Sequence, residues 1–165
     1  MNVTAGNSKV QLPNLLLIAG NGRNVGKTFL ATKIIKQLSQ KEEVVGVKIS
    51  PHFHSFDEET VLFKNDEFVI LEEKKINSKD SSLLLQAGAV KVYLVMVLQQ
   101  NLKQAFLQLN KFLPQKAIVC ESGGLHEFIN PGLFLFVKRA GEEIRKEHLL
   151  KFLPQIVEND GTNFT

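Results

Sequence analysis

Residues 15–28, LLLIAGNGRNVGKT, carry a short apolar run directly into a glycine-rich turn. Beyond the turn, apolar residues recur at helical spacing, at Leu30, Ala31, Ile34, Ile35 and Leu38. Because a continuous apolar run gives way to a period of about 3.6 residues, the stretch predicts a strand, a loop and a helix. A β-branched run at 44–49 follows at the distance of a right-handed βαβ crossover. These features predict a largely parallel sheet.

The end of the turn matches the phosphate-loop pattern G-x-x-x-x-G-K-[ST]. Gly26, Lys27 and Thr28 fill its last three positions, and Asn21 stands where the first glycine is expected. Asn can replace glycine there because it adopts left-handed backbone conformations more readily than most residues. Alternatively, Gly20 begins a loop that is longer by one residue. Under both interpretations the predicted phosphate contacts are Gly20, Asn21, Gly22, Arg23, Asn24, Val25, Gly26, Lys27 and Thr28.

The position of this loop between a strand and a helix predicts its chemistry. Backbone N–H groups of the loop and of the first helical turn would point at one spot, where phosphate oxygens accept hydrogen bonds. Lys27 would reach the β- and γ-phosphates of a nucleoside triphosphate, and Thr28 would offer its hydroxyl to Mg²⁺. The alternative is a glycine-rich turn that carries an exposed lysine and binds nothing.

Strands and helices are predicted to alternate along the rest of the chain. Two apolar stretches predict an antiparallel hairpin over 61–72. Ser78 or Asp80 is expected to cap a helix that ends at Gly88, and Pro114 is expected to end the next helix. Other predicted elements are buried strands at 90–98, 117–120 and 133–137, a short helix near 149–153 and a final edge strand.

This alternation predicts an α/β fold, a three-layer P-loop NTPase domain with a mostly parallel central sheet and an inserted β-hairpin. The chain has 165 residues, of which 44% are hydrophobic, and this is enough for one well-buried core. We therefore expect a flexible segment at 1–13 and a single nucleotide-binding domain at 14–165.

Composition and charge argue against several classes of protein. The longest apolar runs fall well short of the roughly 18–20 residues that a membrane helix requires. The net charge is +3 and the lysines are interleaved with acidic residues, so we expect no binding to nucleic acid. We expect no secretion signal, and the single cysteine, Cys120, suits a reducing compartment. These features predict a cytoplasmic protein.

A carboxylate and a lysine are predicted to join the phosphate loop at the edge of the sheet. Glu121 follows the strand at 117–120, and Gly123 would let the backbone approach a γ-phosphate. Because ligands of open α/β sheets gather at the carboxyl ends of the strands, Glu121 is predicted to hold Mg²⁺. Lys48 ends a buried strand at the same edge and would neutralise charge on the reacting phosphate. The predicted catalytic residues are therefore Lys27, Glu121 and Lys48, although a surface glutamate and a solvent-directed lysine are the simpler alternatives.

Other polar residues support weaker predictions. Asp57 is a further candidate ligand for the metal, whereas Asp80 is better explained as a helix cap. His52 and His54 lack the spacing of a zinc site, and we expect them in an exposed loop that meets substrate or a partner. No guanine-reading N-K-x-D sequence is present, so the segment at 137–139 is a candidate for contacts with the base.

Four segments of the chain, at 15–35, 44–56, 77–95 and 118–137, resemble in order those of the molybdopterin-guanine dinucleotide biosynthesis accessory protein family. The phosphate loop is shared by many families, and the more particular feature is the combination of Lys48, His52 and His54 with the later KDS at 79–81 and AGA at 87–89. The resemblance implies a small P-loop domain that binds GTP with Mg²⁺, hydrolyses it weakly and assists a molybdenum cofactor nucleotidyltransferase.

The residues at 58–77 depart from that family, which runs almost directly from its second segment to its third. The longer loop and the sequence ESGGL at 121–125 also resemble dethiobiotin synthetase, an ATP-dependent ligase of the same P-loop class. An ATP-dependent ligase or kinase therefore remains an alternative, as does a non-catalytic, nucleotide-dependent switch. The edge of the predicted hairpin could also pair with a second copy of the chain, which would make a homodimer.

Overall fold

The computed structural model describes residues 8–165, and these residues form one mixed sheet with helices packed against it. The strands are β1 (Val10–Gly20), β2 (Val44–Ser50), β3 (Val61–Lys64), β4 (Phe68–Glu72), β5 (Lys91–Val97), β6 (Ala117–Glu121), β7 (Ile129–Arg139) and β8 (Gln155–Asn159). The helices are α1 (Lys27–Leu38), α2 (Asp80–Gln86) and α3 (Leu102–Leu109). Within the described part of the chain, no helix is long and apolar enough to cross a membrane.

The sheet confirms the predicted α/β fold. Its strand order is β3-β4-β5-β2-β6-β1-β7-β8. Six adjacent strands of this order, β5-β2-β6-β1-β7-β8, run parallel to one another. Strands β3 and β4 add an antiparallel hairpin at one edge. Because β6 lies between β1 and β2, the carboxyl ends of these three strands meet at one place.

The core forms two apolar layers, one on each face of the sheet. Successive side chains of β1 point to opposite faces of the sheet, so Leu17 lies in one layer and Ile18 in the other. Helices α1 and α2 cover the face that includes Ile18, through buried residues such as Ile35 and Leu84. Helix α3 covers the opposite face through Phe106 and its neighbours. The predicted three-layer arrangement is therefore confirmed.

The predicted hairpin forms and extends the sheet. Asn65 builds its turn, because Oδ1 accepts hydrogen bonds from the N–H groups of Glu67, at 2.8 Å, and Phe68, at 2.9 Å. The Phe63 and Phe68 rings then stack with centroids 5.4 Å apart. Strand β4 pairs with β5, and β3 is left at the edge.

Three boundaries differ from the predictions. Strand β1 begins at Val10, and residues 10–12 pair with β7 rather than forming part of a flexible segment, whereas residues 1–7 lie outside the described residues. Helix α3 ends at Leu109, well before Pro114, and the chain then turns so that the Phe112 carbonyl accepts a hydrogen bond from the Tyr93 hydroxyl at 3.1 Å.

The predicted cap of α2 was also wrong. Lys79 occupies the N-cap position and no side chain caps the helix there. Asp80 is instead the first residue of α2, and its carboxylate lies 3.5 Å from the ammonium of Lys48. The carboxylate is thus directed toward the carboxyl end of β2.

Candidate functional site

A cavity of about 730 Å³ opens where the carboxyl ends of β1, β2 and β6 meet. Its walls come from the glycine-rich loop, the end of β2, the start of α2 and the turn after β6. The lining residues are Gly22, Arg23, Asn24, Gly26, Lys27, Thr28, Phe29, Lys48, Ile49, Ser50, Pro51, His52, Asp80, Glu121, Ser122, Gly123 and Lys146. The structure therefore brings together Lys27, Thr28, Lys48 and Glu121, which were predicted from distant parts of the sequence.

The glycine-rich loop takes its shape from two left-handed residues and one close approach. Asn24 has a φ of 57° and Gly26 a φ of 103°. A Cβ atom at Gly20 would lie 2.7 Å from Cδ of Lys27, so only glycine lets the lysine stem pass over the start of the loop. This contact favours the interpretation in which Gly20 begins the loop.

Asn21 has a different role from the one predicted, and this is a correction. Its backbone is not left-handed, and its side chain is only 2% exposed. The amide nitrogen donates to the carbonyl of Glu143 at 2.7 Å and to Oε2 of Glu142 at 3.2 Å, while Oδ1 accepts from the backbone N–H of Arg145 at 2.6 Å. Asn21 thus anchors the connection between β7 and β8, and Asn24 is the asparagine that uses left-handed geometry.

Glu121 is the centre of a buried polar cluster. The residue is 2% exposed, and its carboxylate accepts two hydrogen bonds, from the Thr28 hydroxyl at 2.9 Å and from the Lys48 ammonium at 2.6 Å. The register of the parallel strands brings these side chains together, because Glu121 in β6 pairs with Ile18 in β1 on one side and with Lys48 in β2 on the other. Both carboxylate oxygens have partners, as burial of a charge requires. The surface-glutamate alternative for Glu121 is therefore excluded.

Lys27 is a partly buried cation that faces the same cavity. Burial is the main cause that lowers the pKa of its ammonium below the usual 10.5, and the attraction of Glu121 opposes that effect. Among residues 8–165 no carboxylate forms an ion pair with Lys27. An anionic ligand in the cavity would supply the missing counter-charge.

The oxygen atoms at the site fit Mg²⁺ better than a softer metal. The Thr28 hydroxyl and the Glu121 carboxylate lie together, and Mg²⁺ prefers such ligands, completed by phosphate oxygens and water. Within residues 8–165, no three His, Cys, Asp or Glu side chains gather into a metal site. Two protein oxygens do not fill the six positions around Mg²⁺, so phosphate oxygens and water would supply the others.

The prediction that Asp57 holds the metal was wrong. Its Oδ1 accepts a hydrogen bond from the backbone N–H of Glu59 at 3.1 Å, and its Oδ2 lies 3.5 Å from the ammonium of Lys75. Asp57 thus caps the 3-10 turn Glu58–Thr60 and does not line the cavity. Asp80 is the second carboxylate in the cavity wall.

His52 spans the cavity toward the phosphate loop. Its Nε2 lies 2.6 Å from Nη2 of Arg23. A guanidinium can only donate, so Nε2 is the acceptor in this contact. His54 does not line the cavity, and its Nδ1 lies 2.9 Å from the carbonyl oxygen of Ser55. Of the two predicted loop histidines, His52 therefore reaches the site.

The segment at 137–139 lies behind the loop. Val137 is buried, and the Lys138 ammonium pairs with Glu158 at 2.8 Å. Arg139 donates to the backbone carbonyl of Asn24. None of the three lines the cavity.

Sequence reasoning missed Lys146, which lines the cavity. The positive charge of Lys146 contributes to the lowered pKa of Lys27. The residue stands in a run of mixed charges, EEIRKEH at 142–148, which has no motif. The buried Asn21 side chain holds this run beside the loop, and that contact appears only in three dimensions.

No protein-family model and no curated protein matches the chain. A solved structure, the kinase domain of the Escherichia coli tyrosine kinase ETK, matches with a TM-score of 0.49 and 12% identity over 87% of this chain. The match spans 65% of that domain.

Proposed function

We propose that this protein binds a nucleoside triphosphate with Mg²⁺, preferring GTP, and hydrolyses it slowly. The observation that carries the proposal is the contact of Thr28 with Glu121 beside Lys27, at the start of α1. This arrangement combines a lysine for the phosphates, two oxygen ligands for the metal and a helix N-terminus. These are the parts that bind a magnesium-bound triphosphate.

The surroundings of Glu121 support slow rather than rapid hydrolysis. A general base must be free to take a proton from water. The two oxygens of Glu121 already accept hydrogen bonds from Thr28 and Lys48, so neither is free to take a proton from water. In this proposal Glu121 organises the metal, and Lys48 stabilises charge on the phosphate.

We further propose that the protein acts as an accessory factor in molybdenum cofactor biosynthesis, with a molybdenum cofactor nucleotidyltransferase as its partner. The support is the sequence resemblance, which includes Lys48 and His52, and both of these residues line the cavity. The preference for GTP over ATP rests on the same resemblance.

A ligase or kinase is the second candidate function. The cavity extends beyond the phosphate loop to Ser50 and His52 on one side and to Ser122 and Gly123 on another. These residues offer a wall for a second substrate next to the predicted γ-phosphate position. If the chain transfers phosphate, a small acceptor would bind there.

Calorimetric titration of the protein with GTP and with ATP, each in the presence of Mg²⁺, tests the central proposal. We expect binding of both and a preference for GTP. Absence of binding by either nucleotide would refute the nucleotide site, whereas an ATP preference greater than about tenfold, or roughly 1.4 kcal/mol, would favour the ligase. Phosphate release that accelerates with added acceptors would also favour it.

Deletion of the gene tests the biological role separately. We expect the deletion strain to have lower activity of a molybdoenzyme that carries the dinucleotide form of the cofactor. Normal molybdoenzyme activity would remove the accessory role and leave the nucleotide-binding proposal intact.

A further inference from the structure

We propose that the C-terminal part of the chain positions the phosphate loop through Arg139 and Asn159, and that nucleotide affinity depends on these two residues. This inference rests on the proposed nucleotide binding. Neither residue lines the cavity, so both would act as positioning residues. Each holds one backbone carbonyl of the loop from outside.

Arg139 is the last residue of β7 and holds the carbonyl of Asn24. The guanidinium donates to this oxygen from Nε at 3.2 Å and from Nη2 at 2.9 Å. Asn24 is the loop residue with a φ of 57°. Two donors in one plane fix the direction of this carbonyl more firmly than a single flexible donor could.

Asn159, the last residue of β8, holds the next carbonyl along the loop. Its Nδ2 donates to the Val25 oxygen at 3.0 Å, and its Oδ1 accepts from the N–H of Gly161 at 2.9 Å. The second bond fixes the amide so that nitrogen faces the loop. The amide also fills the space beside Gly26, where a Cβ atom would collide with it.

The geometry of the peptide bond links these contacts to phosphate binding. In a trans peptide the carbonyl and the following N–H point in opposite directions. Holding the carbonyls of Asn24 and Val25 on the side of the C-terminal segment therefore directs the N–H groups of Val25 and Gly26 away from it. Donors that are already oriented do not have to reorganise when an anion binds, and affinity is correspondingly higher.

Asn21 provides a third connection between the same two parts of the chain. It binds the backbone of Glu143 and Arg145, in the connection between β7 and β8. The loop is thus held at its start and at two points before α1. In all three contacts the partner of the loop lies between the end of β7 and the end of β8. These contacts form without a bound nucleotide.

Substitutions at Asn159 test the proposal with little change in shape. Asn159→Leu and Asn159→Asp both remove the donor to Val25, and only the second adds a charge. We expect both variants to bind magnesium-bound GTP about tenfold more weakly, the loss of one hydrogen bond. Asn163→Asp is the matched control, because this substitution adds the same charge at an exposed residue shortly after β8.

Arg139 allows a graded test. Arg139→Met removes both donors, whereas Arg139→Lys retains one donor and the charge. We expect the Met variant to raise the KM for nucleotide by about tenfold with little change in kcat, and the Lys variant to recover part of the loss. Thermal melting of the nucleotide-free variants shows whether they remain folded.

The outcomes separate this inference from the proposed function. If the wild-type protein binds nucleotide and Asn159→Leu and Arg139→Met bind it equally well, the positioning role is wrong and the nucleotide site stands. If Asn159→Leu binds nucleotide normally while Asn159→Asp and Asn163→Asp both bind it more weakly, the effect is charge repulsion and the positioning role is also wrong. If the wild-type protein binds no nucleotide, the proposed function fails and this inference fails with it.

Discussion

Lys27 carries the most direct test at the scale of single residues. Lys27→Ala should abolish detectable triphosphate binding and leave the fold intact, because the ammonium faces the cavity and forms no ion pair among the described residues. Thermal shift with and without magnesium-bound GTP measures both effects. Lys36→Ala is the matched control, since Lys36 is exposed on the same helix. Equal stabilisation of the two variants by nucleotide would exclude Lys27 from the site.

Glu121 separates metal organisation from nucleotide affinity. Glu121→Gln keeps the shape of the side chain and removes the charge that Thr28 and Lys48 now surround. We expect nucleotide affinity to stay within about tenfold, roughly 1.4 kcal/mol, while hydrolysis slows. Parallel calorimetry and phosphate-release assays measure the two quantities. Unchanged hydrolysis would mean that the carboxylate has only a structural role.

His126 should make the fold sensitive to acid. Its ring is 3% exposed, both nitrogens lack a partner within the described residues, and Phe134 and Phe152 pack against it. Burial is the main cause that lowers its pKa to about 4, and electrostatic effects of His148 and Lys9 act in the same direction. The unfolded chain therefore binds the proton more readily, and stability is lost as the pH falls from about 6.5 toward 4, by at most about 1.4 kcal/mol per pH unit.

His126→Phe should reduce that slope, because phenylalanine does not titrate and suits an aromatic environment. Urea denaturation between pH 4 and 7 measures the effect, with His54→Gln as a control in an exposed loop. Identical slopes for the wild-type protein and His126→Phe would contradict the assignment.

At the scale of elements, the hairpin of β3 and β4 depends on one side chain. Asn65→Ala removes the acceptor for two backbone N–H groups in the turn, and we expect a loss of about 1–2 kcal/mol in the free energy of unfolding. Chemical denaturation measures this loss, and Asp66→Ala controls for a change in the same turn. The hairpin does not line the cavity, so nucleotide affinity should be unchanged; a large change would link the insertion to the site.

Elements with a strong local pattern were predicted well. The change of period across the glycines located β1 and α1, and two apolar stretches located the hairpin. Element ends were harder to predict, because they depend on tertiary contacts. Helix α3 ends at Leu109, and the Phe112 carbonyl just beyond it accepts a hydrogen bond from Tyr93, whereas α2 begins without a side-chain cap. Neither feature has a local signal in the sequence.

In the candidate site, too, residues with a local sequence signal could be predicted, and residues placed by tertiary contacts could not. Lys27, Thr28 and Glu121 could be predicted because a motif and the end of a buried strand mark them. Lys146 and Asn159 could not be predicted, since Lys146 is held beside the loop by the contacts of Asn21, and Asn159 by the pairing of β7 with β8. The error at Asp57 has a related cause, because a carboxylate in a loop caps a nearby turn as readily as it binds a metal.

At the scale of the whole molecule, nucleotide should stabilise the fold. A ligand that binds only the folded state at a concentration a hundred times its Kd adds about 2.7 kcal/mol to the free energy of unfolding. We expect the Tm to rise with the concentration of magnesium-bound GTP. The same titration with magnesium alone is the control, and an equal rise there would indicate metal binding without nucleotide.

The central place of β1 also determines when the protein can fold during its synthesis. Leu17 leaves the ribosome more than a hundred residues before its neighbours in the sheet, Cys120 and Phe134. Strand β1 is therefore apolar and without its partner strands until β6 and β7 have been translated. Sheets built from such distant pairings form slowly and are exposed to aggregation in the meantime. A nascent chain that stops before β6 cannot assemble the phosphate loop, and protection of β1 by a chaperone would matter most in that interval.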